Sequence, residues 1–243
     1  MSFFDHLEDL RGVIIQSLVA IFLLTVACWF LSGRILDLLI KDLPVQSLYF
    51  SSPLGAFTIR LRISLVLGVV IAFPFVLYKV WSFVAPGLFS VERRRVYPLV
   101  ISSATLFYIG ILFCYAILIP FVLKFLLSFG TDNLNPLLSV SAYFAFVARL
   151  CFTFGIVFQI PIVVLVLSSL GLVTPRWLLK QWRYGVIIIF TGSAILTPPD
   201  IVSQLMMALP ILLLYIGSIL VAFVVVRRKS ERQDKEAGTE DSL

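Results

Sequence analysis

Long apolar runs separated by short polar segments dominate the chain. A helix that crosses a bilayer needs about 20 mostly apolar residues, and the runs predict six such helices. They lie at about residues 12–32, 63–85, 97–119, 143–170, 184–198 and 203–226. The last two come from one apolar stretch that Thr197-Pro198-Pro199-Asp200 interrupts, and paired prolines cannot continue a helix. We therefore predict an all-α integral membrane protein whose last two helices are short and form a tight hairpin.

Basic residues between the predicted spans set the orientation of the chain. They lie between spans 2 and 3, between spans 4 and 5, and after span 6: Lys79, Arg93, Arg94, Arg95, Arg176, Lys180, Arg183, Arg227, Arg228, Lys229, Arg232 and Lys235. Because cytoplasmic loops of membrane proteins carry the excess of lysine and arginine, both termini are predicted to be cytoplasmic. The opposite side then receives residues 33–62, where we expect a cap that is partly helical over Arg34–Asp42.

The domain organisation follows from the same pattern. Residues 1–226 form a single membrane domain, and residues 227–243 form a basic, then polar tail that we expect to be disordered. Pro74, Pro120, Pro161 and Pro210 lie within or at the ends of predicted spans. Since each proline removes a backbone hydrogen bond and bends its helix, we expect kinked, tilted helices that form a concave cup.

Composition narrows the classes of function. Of 243 residues, 60% are hydrophobic and 13% are charged, and the mean hydropathy is +1.07. The net charge of +6 would also suit a nucleic-acid-binding protein, but here it is better explained by loops that contact anionic lipid headgroups. The three cysteines lie inside apolar runs without metal or disulfide spacing. We expect no nucleic-acid partner, no metal and no cofactor.

No catalytic motif is visible in the sequence. The chain has a single histidine, His6, and neither a P-loop nor a His-Glu-x-x-His segment. An enzyme, such as an intramembrane protease, is therefore not expected. A secondary transporter of a small cation, using Asp200, Gln159 or Asp9, is the alternative to a binding protein, although no internal repeat of the kind such transporters carry is visible.

Two polar positions within the spans have two interpretations each. Gln159 is the deepest polar residue of span 4, and an amide at that depth needs a partner. It forms either an intramolecular hydrogen bond or a docking point for another protein's helix or for cargo. Asp200 and Gln204 flank the start of span 6, where Asp200 is either an N-cap or part of a site.

An acidic segment precedes the first span, against the general basic trend. Asp5, Glu8 and Asp9 stand there with one arginine, Arg11, and on a helix Asp5 and Asp9 share a face. Glu92, the second acidic element, precedes three arginines and forms either a local ion pair with them or part of a site. Two carboxylates on the cytosolic surface can each bind a guanidinium in a bidentate manner that lysine cannot reproduce. The pattern predicts a receptor for a cationic ligand.

Four motifs in this order resemble the TatC family, the receptor subunit of the twin-arginine protein translocase. They are His6-Leu7-Glu8-Asp9-Leu10-Arg11, Trp81–Leu88 running into Val91-Glu92-Arg93-Arg94, Phe154–Pro161, and Leu196–Gln204. The resemblance covers residues 3 to about 226. It implies a six-helix, cup-shaped protein of the bacterial cytoplasmic (inner) membrane that recognises the Ser-Arg-Arg-x-Phe-Leu-Lys signal of folded export substrates. It also implies self-association, single-span partners (TatA and TatB), and transport driven by the proton-motive force.

The resemblance also implies roles for particular residues. Asp9 and Glu92 take the positions of the family's two signal-binding glutamates, with Glu8, Arg11 and Phe83 beside them. Thr197 and Gln204, with Asp200 between them, match positions where a partner's transmembrane helix docks, and Gln159 is assigned to the same function. Three residues depart from the family pattern: Asp9 is one methylene shorter than glutamate, Gln159 stands where many members carry glutamate, and Leu38 replaces a frequent proline.

Overall fold

The computed structural model describes residues 3–41, 48–49, 54–88, 96–128, 138–197 and 200–240, and nearly all of these residues are helical. The helices are α1 (Phe3–Trp29), α2 (Ser32–Lys41), α3 (Gly55–Leu88), α4 (Val96–Phe113), α5 (Ile119–Leu127), α6 (Val140–Val157), α7 (Ile160–Ser169), α8 (Pro175–Lys180), α9 (Trp182–Leu196) and α10 (Ile201–Glu240). A π-helical turn, Cys114–Leu118, joins α4 to α5. Two short strands, β1 (Leu48–Tyr49) and β2 (Leu138–Ser139), pair in parallel.

The predicted membrane spans are present. Five helical segments are long and apolar enough to cross a bilayer: Leu7–Trp29, Gly55–Val84, Tyr97–Leu127, Val140–Ser169 and Ile201–Val224. The sixth span is the shorter apolar helix Trp182–Leu196, which has 15 residues. The fifth span is therefore short, as expected. The sixth has 24 residues, the length of its predicted range 203–226, so the expectation that both of the last two helices are short is wrong for the sixth.

The carboxyl-terminal tail differs from its prediction. We expected disorder after residue 227, but α10 continues as one helix to Glu240. Most residues after Arg227 are good helix formers, namely arginine, lysine, glutamine, glutamate and alanine. The helix therefore continues beyond the apolar segment without needing a hydrophobic face to bury.

The described residues divide into two compact units, the first made of Met1–Thr105 with Leu127–Leu150. In this unit α1 packs along α3, and the predicted cap is helix α2, which also packs on α3. The core of the unit contains the buried residues Ile59, Ile63, Val140 and Phe144, with Ile35 and Leu36 of α2 against them. The amphipathic cap thus buries its apolar face on the amino-terminal end of α3.

An arginine fixes the connection between α1 and α2. The Arg60 guanidinium lies 5.7 Å from the centroid of the Trp29 ring, and its Nε donates to Ser32 Oγ at 3.3 Å. The Ser32 hydroxyl donates in turn to the Trp29 carbonyl at 2.7 Å. These contacts hold α2 at the end of the first span.

The second unit comprises Leu106–Leu126 and Cys151–Leu243. In its core, Gly110 faces Phe154 and Phe158, while Gly155 faces the ring of Phe107. Phe107 and Phe154 are fully buried. Each glycine thus admits an aromatic side chain from the other helix, the small-residue packing common between membrane helices.

Two prolines interrupt helices in the way their chemistry requires. Pro120 has no backbone N–H, and the preceding turn is π-helical, with the Ile119 N–H bonded to the Cys114 carbonyl. Pro161 lies in the first turn of α7, directly after the break between α6 and α7. Pro74 and Pro210, by contrast, lie inside α3 and α10 without ending them.

Candidate functional site

The acidic segment is the first part of helix α1, continuous with the first span. The side chains of Glu8, Asp9 and Arg11 are all exposed. Asp5 is also helical, but its side chain lies outside the described part of the structure. The carboxylates therefore extend from the amino-terminal end of a membrane helix, where solvent and ligands reach them.

Helical spacing places both described carboxylates within one turn of Gly12, and it places Glu8 beside Arg11 as well. Glu8 stands three residues before Arg11, so these two side chains are neighbours on one face of α1. Asp9 stands three residues before Gly12, where a Cβ would meet nothing within 4 Å. The surface one turn from Asp9 is thus open, because the adjacent residue has no side chain and no other group fills the space.

The second predicted element is described only in part. Phe83 is partly buried near the carboxyl end of α3, and two residues earlier the Trp81 Nε1 donates to Ser103 Oγ on α4 at 3.2 Å. This bond ties the end of α3 to α4. Glu92 lies outside the described residues, so its position relative to Asp9 stays a prediction.

Three of the four residues assigned to partner docking lie in the hairpin of α9 and α10. The Thr197 hydroxyl donates to the Ser193 carbonyl at 2.9 Å, and the Gln204 Nε2 donates to the Phe190 carbonyl at 3.1 Å. Gln204 thereby connects α10 to α9 within the apolar region. The hairpin brings a hydroxyl, an amide and a carboxylate to one end of the two helices.

Asp200 caps helix α10 with one oxygen and leaves the other unused. Its Oδ1 accepts the Ser203 N–H at 2.7 Å, so the N-cap interpretation is confirmed. Its Oδ2 and the Ser203 hydroxyl are buried without a hydrogen-bond partner among the described residues. An unpaired buried polar group costs about 1–3 kcal/mol, and a donor from another molecule would remove this cost.

Gln159 lies at the break between α6 and α7. Its Nε2 donates to the Gly155 carbonyl in the preceding turn at 3.4 Å. An intramolecular hydrogen bond, the first of the two interpretations, is therefore present. Its assignment to partner docking stays a prediction.

Several contributors to these regions are not apparent from the sequence: Ser103 as the partner of Trp81, Ser203 beside Asp200, and the open position of Gly12. Serine and glycine are common in membrane helices, so only the folded geometry distinguishes these three. Among the described residues, no group of three histidine, cysteine, aspartate or glutamate side chains is placed to hold a metal ion.

Comparison with known proteins decides the family. The model of the family "Sec-independent protein translocase protein (TatC)" matches residues 5–210. The TatC protein of Aquifex aeolicus is 38% identical, over 96% of this chain and 99% of its own length. That of Desulforapulum autotrophicum is 35% identical, over 98% of this chain and 90% of its own. The chain belongs to the TatC family.

A solved structure supports the same assignment. A crystal structure described as the twin arginine translocase receptor TatC superimposes on this chain with a TM-score of 0.82 and 38% identity. It covers 90% of this chain and 99% of that one. The TatC resemblance and the six-helix membrane fold are therefore confirmed, with a role in protein translocation as part of a complex.

Proposed function

We propose that this TatC-family chain is the signal receptor of its translocase and binds twin-arginine signal peptides of folded proteins at its cytoplasmic face. The observation that carries the proposal is the exposed Asp9 carboxylate beside the open surface at Gly12. Glu92 is the proposed second carboxylate, and Glu8, Arg11 and Phe83 border the site. The membrane is the cytoplasmic membrane of a bacterium, and the proton-motive force drives transport.

The chemistry of the ligand fits the chemistry of the site. A guanidinium presents two parallel N–H groups to a carboxylate, whereas an ammonium presents a single point charge. Two carboxylates bind two consecutive arginines more selectively than two lysines. The side chain of Asp9 is one methylene shorter than that of glutamate, so its carboxylate lies closer to the helix. Because Gly12 has no side chain, the guanidinium can approach the helix closely enough to reach it.

The direct test is peptide binding to the purified full-length protein. A hydrogen bond to a charged group contributes about 1.5–3 kcal/mol, and exposure to solvent favours the lower value. We therefore expect Asp9→Asn and Glu92→Gln each to weaken binding of a twin-arginine peptide about tenfold. Asp9→Glu should retain binding. Asp37→Asn, which removes an exposed carboxylate from the outer cap, is the matched control and should have no effect.

Salt provides a second readout of the same contact. Exposed ion pairs weaken as ionic strength rises, so affinity should fall with salt in the unmodified protein and less steeply in Asp9→Asn. Unchanged affinity in the Asp9→Asn, Glu92→Gln double variant would contradict the site assignment.

We infer that the α9–α10 hairpin receives a transmembrane helix of TatA or TatB, through Thr197, Asp200 and Gln204, with Gln159 as a further contact. The support for this is the unpaired Asp200 Oδ2 and Ser203 hydroxyl, which lack a donor or acceptor that a polar side chain on a partner helix would supply. A single chain with six spans has too few helices to enclose a folded protein. Self-association and assembly with the single-span partners are therefore part of the proposal.

Co-purification of the single-span partners tests the hairpin. Gln204→Leu removes the amide that bonds to the Phe190 carbonyl, and we expect it to reduce the partner recovered with this chain several-fold. Thr191→Val changes an exposed polar residue of α9 and should leave recovery unchanged. Equal recovery with both variants would contradict the docking role, while leaving signal binding at Asp9 untouched.

A further inference from the structure

A short helix and the turn that follows it present cations and aromatic rings together at the cytoplasmic end of the second unit. This surface consists of α8 and the first turn of α9, and we name it the α8 surface. Its exposed members are Arg176, Trp177, Lys180, Trp182, Arg183 and Tyr184. The exposed fractions of the three aromatic side chains are 53%, 53% and 66% in chain order.

The opposite side of α8 anchors it firmly to the membrane helices. Leu178 is 8% exposed and packs in a cluster with Val164, Ile219 and Ala222. The Tyr215 hydroxyl donates to the Leu178 carbonyl at 2.9 Å. Buried apolar contacts and a hydrogen bond therefore position the helix, and the exposed cations and rings are not needed for that purpose.

Both ends of the connection into α8 are also defined. Gly171 has a φ of +77°, the left-handed conformation that ends α7, and the Leu172 N–H bonds to the Leu167 carbonyl at 3.0 Å. The Thr174 hydroxyl then caps α8 by accepting the Trp177 N–H at 3.2 Å. The α8 surface thus belongs to a well-formed turn and helix.

The cations of this surface have no carboxylate within their own part of the chain. No aspartate or glutamate stands between Asp132 and Asp200. Arginine and lysine bind phosphate oxygens through charge-assisted hydrogen bonds. This stretch of the chain is therefore basic without an acidic residue of its own, and it suits an anionic ligand.

The position of the surface identifies that ligand. Farther along α9, Ile187, Ile188 and Ile195 are 61%, 71% and 75% exposed, as expected for side chains that face lipid hydrocarbon. Trp182 and Tyr184 lie directly before these residues, and tryptophan and tyrosine concentrate at the headgroup level of bilayers. Their place beside the start of this apolar helix suits three cations at the level of lipid phosphates.

We propose that the α8 surface binds the headgroups of anionic phospholipids in the cytoplasmic leaflet. Arg176, Lys180 and Arg183 contact the phosphates, while Trp177 and Trp182 lie at the glycerol level. A cation near an anionic membrane contributes about fivefold in affinity, so loss of all three should reduce the preference for anionic lipid at least tenfold.

Tryptophan quenching by brominated lipids tests the proposal on the full-length protein. The chain has four tryptophans, so Trp29→Phe with Trp81→Phe leaves the two of the α8 surface as reporters. The protein is placed in phosphatidylcholine nanodiscs that contain the same fraction of either brominated phosphatidylglycerol or brominated phosphatidylcholine. We expect stronger quenching by the phosphatidylglycerol.

Two sets of variants distinguish lipid binding at the α8 surface from attraction of anionic lipid by the net charge of the protein. The triple replacement of Arg176, Lys180 and Arg183 by glutamine should reduce phosphatidylglycerol quenching to the phosphatidylcholine level. Replacing Arg34, Arg62 and Lys124 by glutamine changes the net charge equally and should preserve the preference. Arg176→Lys with Arg183→Lys keeps the charges and should also preserve it, which guards against misfolding as an explanation.

Two results would overturn the proposal. Equal quenching by both lipids in the protein with its native cations would show that the α8 surface has no preference for anionic lipid. The ligand of this surface would then be an acidic protein segment. Equal loss of the phosphatidylglycerol preference in both triple variants would show that the preference depends on net charge and not on the α8 surface.

Discussion

The contact between α1 and α3 depends on Gly68, and adding one methyl group there tests how the acidic segment is held. A Cβ at position 68 would collide with the Thr25 Oγ1 and lie 2.7 Å from the Thr25 backbone nitrogen and 2.8 Å from its Cα. Ordinary contacts begin near 3.4 Å. Because two of these atoms are backbone, no rotation of the threonine side chain relieves the collision.

The size of the effect follows from this geometry. Helix α1 would have to move away from α3 by more than half an ångström, and overpacking of this kind costs about 1–3 kcal/mol. The gain in helix propensity from glycine to alanine, at most about 1 kcal/mol, offsets part of that cost. We expect Gly68→Ala to destabilise the protein by about 1–2 kcal/mol.

Thermal unfolding in detergent, monitored by tryptophan fluorescence, measures this change. Gly192→Ala is the matched control because a Cβ there meets nothing within 4 Å. Since most of α1 is exposed and α3 is its main neighbour, Gly68→Ala should also weaken twin-arginine peptide binding. A melting temperature for Gly68→Ala equal to that of Gly192→Ala would refute the reasoning.

Two further substitutions test the second unit. Gly155→Ala would place a Cβ 2.5 Å from the buried ring of Phe107 and should lower the free energy of unfolding by about 1–3 kcal/mol; a melting temperature at or above that of the unmodified protein would contradict this packing. Tyr215→Phe removes the donor to the Leu178 carbonyl and should cost about 0.5–1.5 kcal/mol. Its measurable result is faster hydrogen exchange in α8, whereas Tyr184→Phe, on an exposed ring, should change nothing.

The sequence predicted the features that depend on local chemistry. Apolar run length gave the six spans, whereas the orientation that the positive-inside pattern indicates stays a prediction. Asp200 stands where aspartate commonly caps a helix, although the sequence left open whether this residue belongs to a site instead. The cap was expected to be partly helical over Arg34–Asp42, and the helix there spans Ser32–Lys41.

Features that depend on tertiary contacts could not be predicted from the sequence. The prolines indicated bends, but the π-helical turn before Pro120 depends on how the freed carbonyls are satisfied. Helix α8 has six residues, too short for a periodic pattern, and is held by Tyr215 from a distant helix. The sequence alone also left the hydrogen bond of Gln159 undecided, since an amide at that depth has partners within its own helix and outside it.

The central claim is that a twin-arginine signal binds beside Asp9, and site-specific photo-crosslinking tests it most directly. A photoreactive amino acid that replaces Gln16, which is exposed one turn beyond Gly12, leaves the open surface at Gly12 intact, and one at Phe30, which is 81% exposed just after α1, serves as the control. We predict that a twin-arginine peptide crosslinks at position 16 and not at position 30, and that its twin-lysine counterpart crosslinks at neither. Equal labelling by the two peptides, or labelling at position 30 alone, would contradict the account.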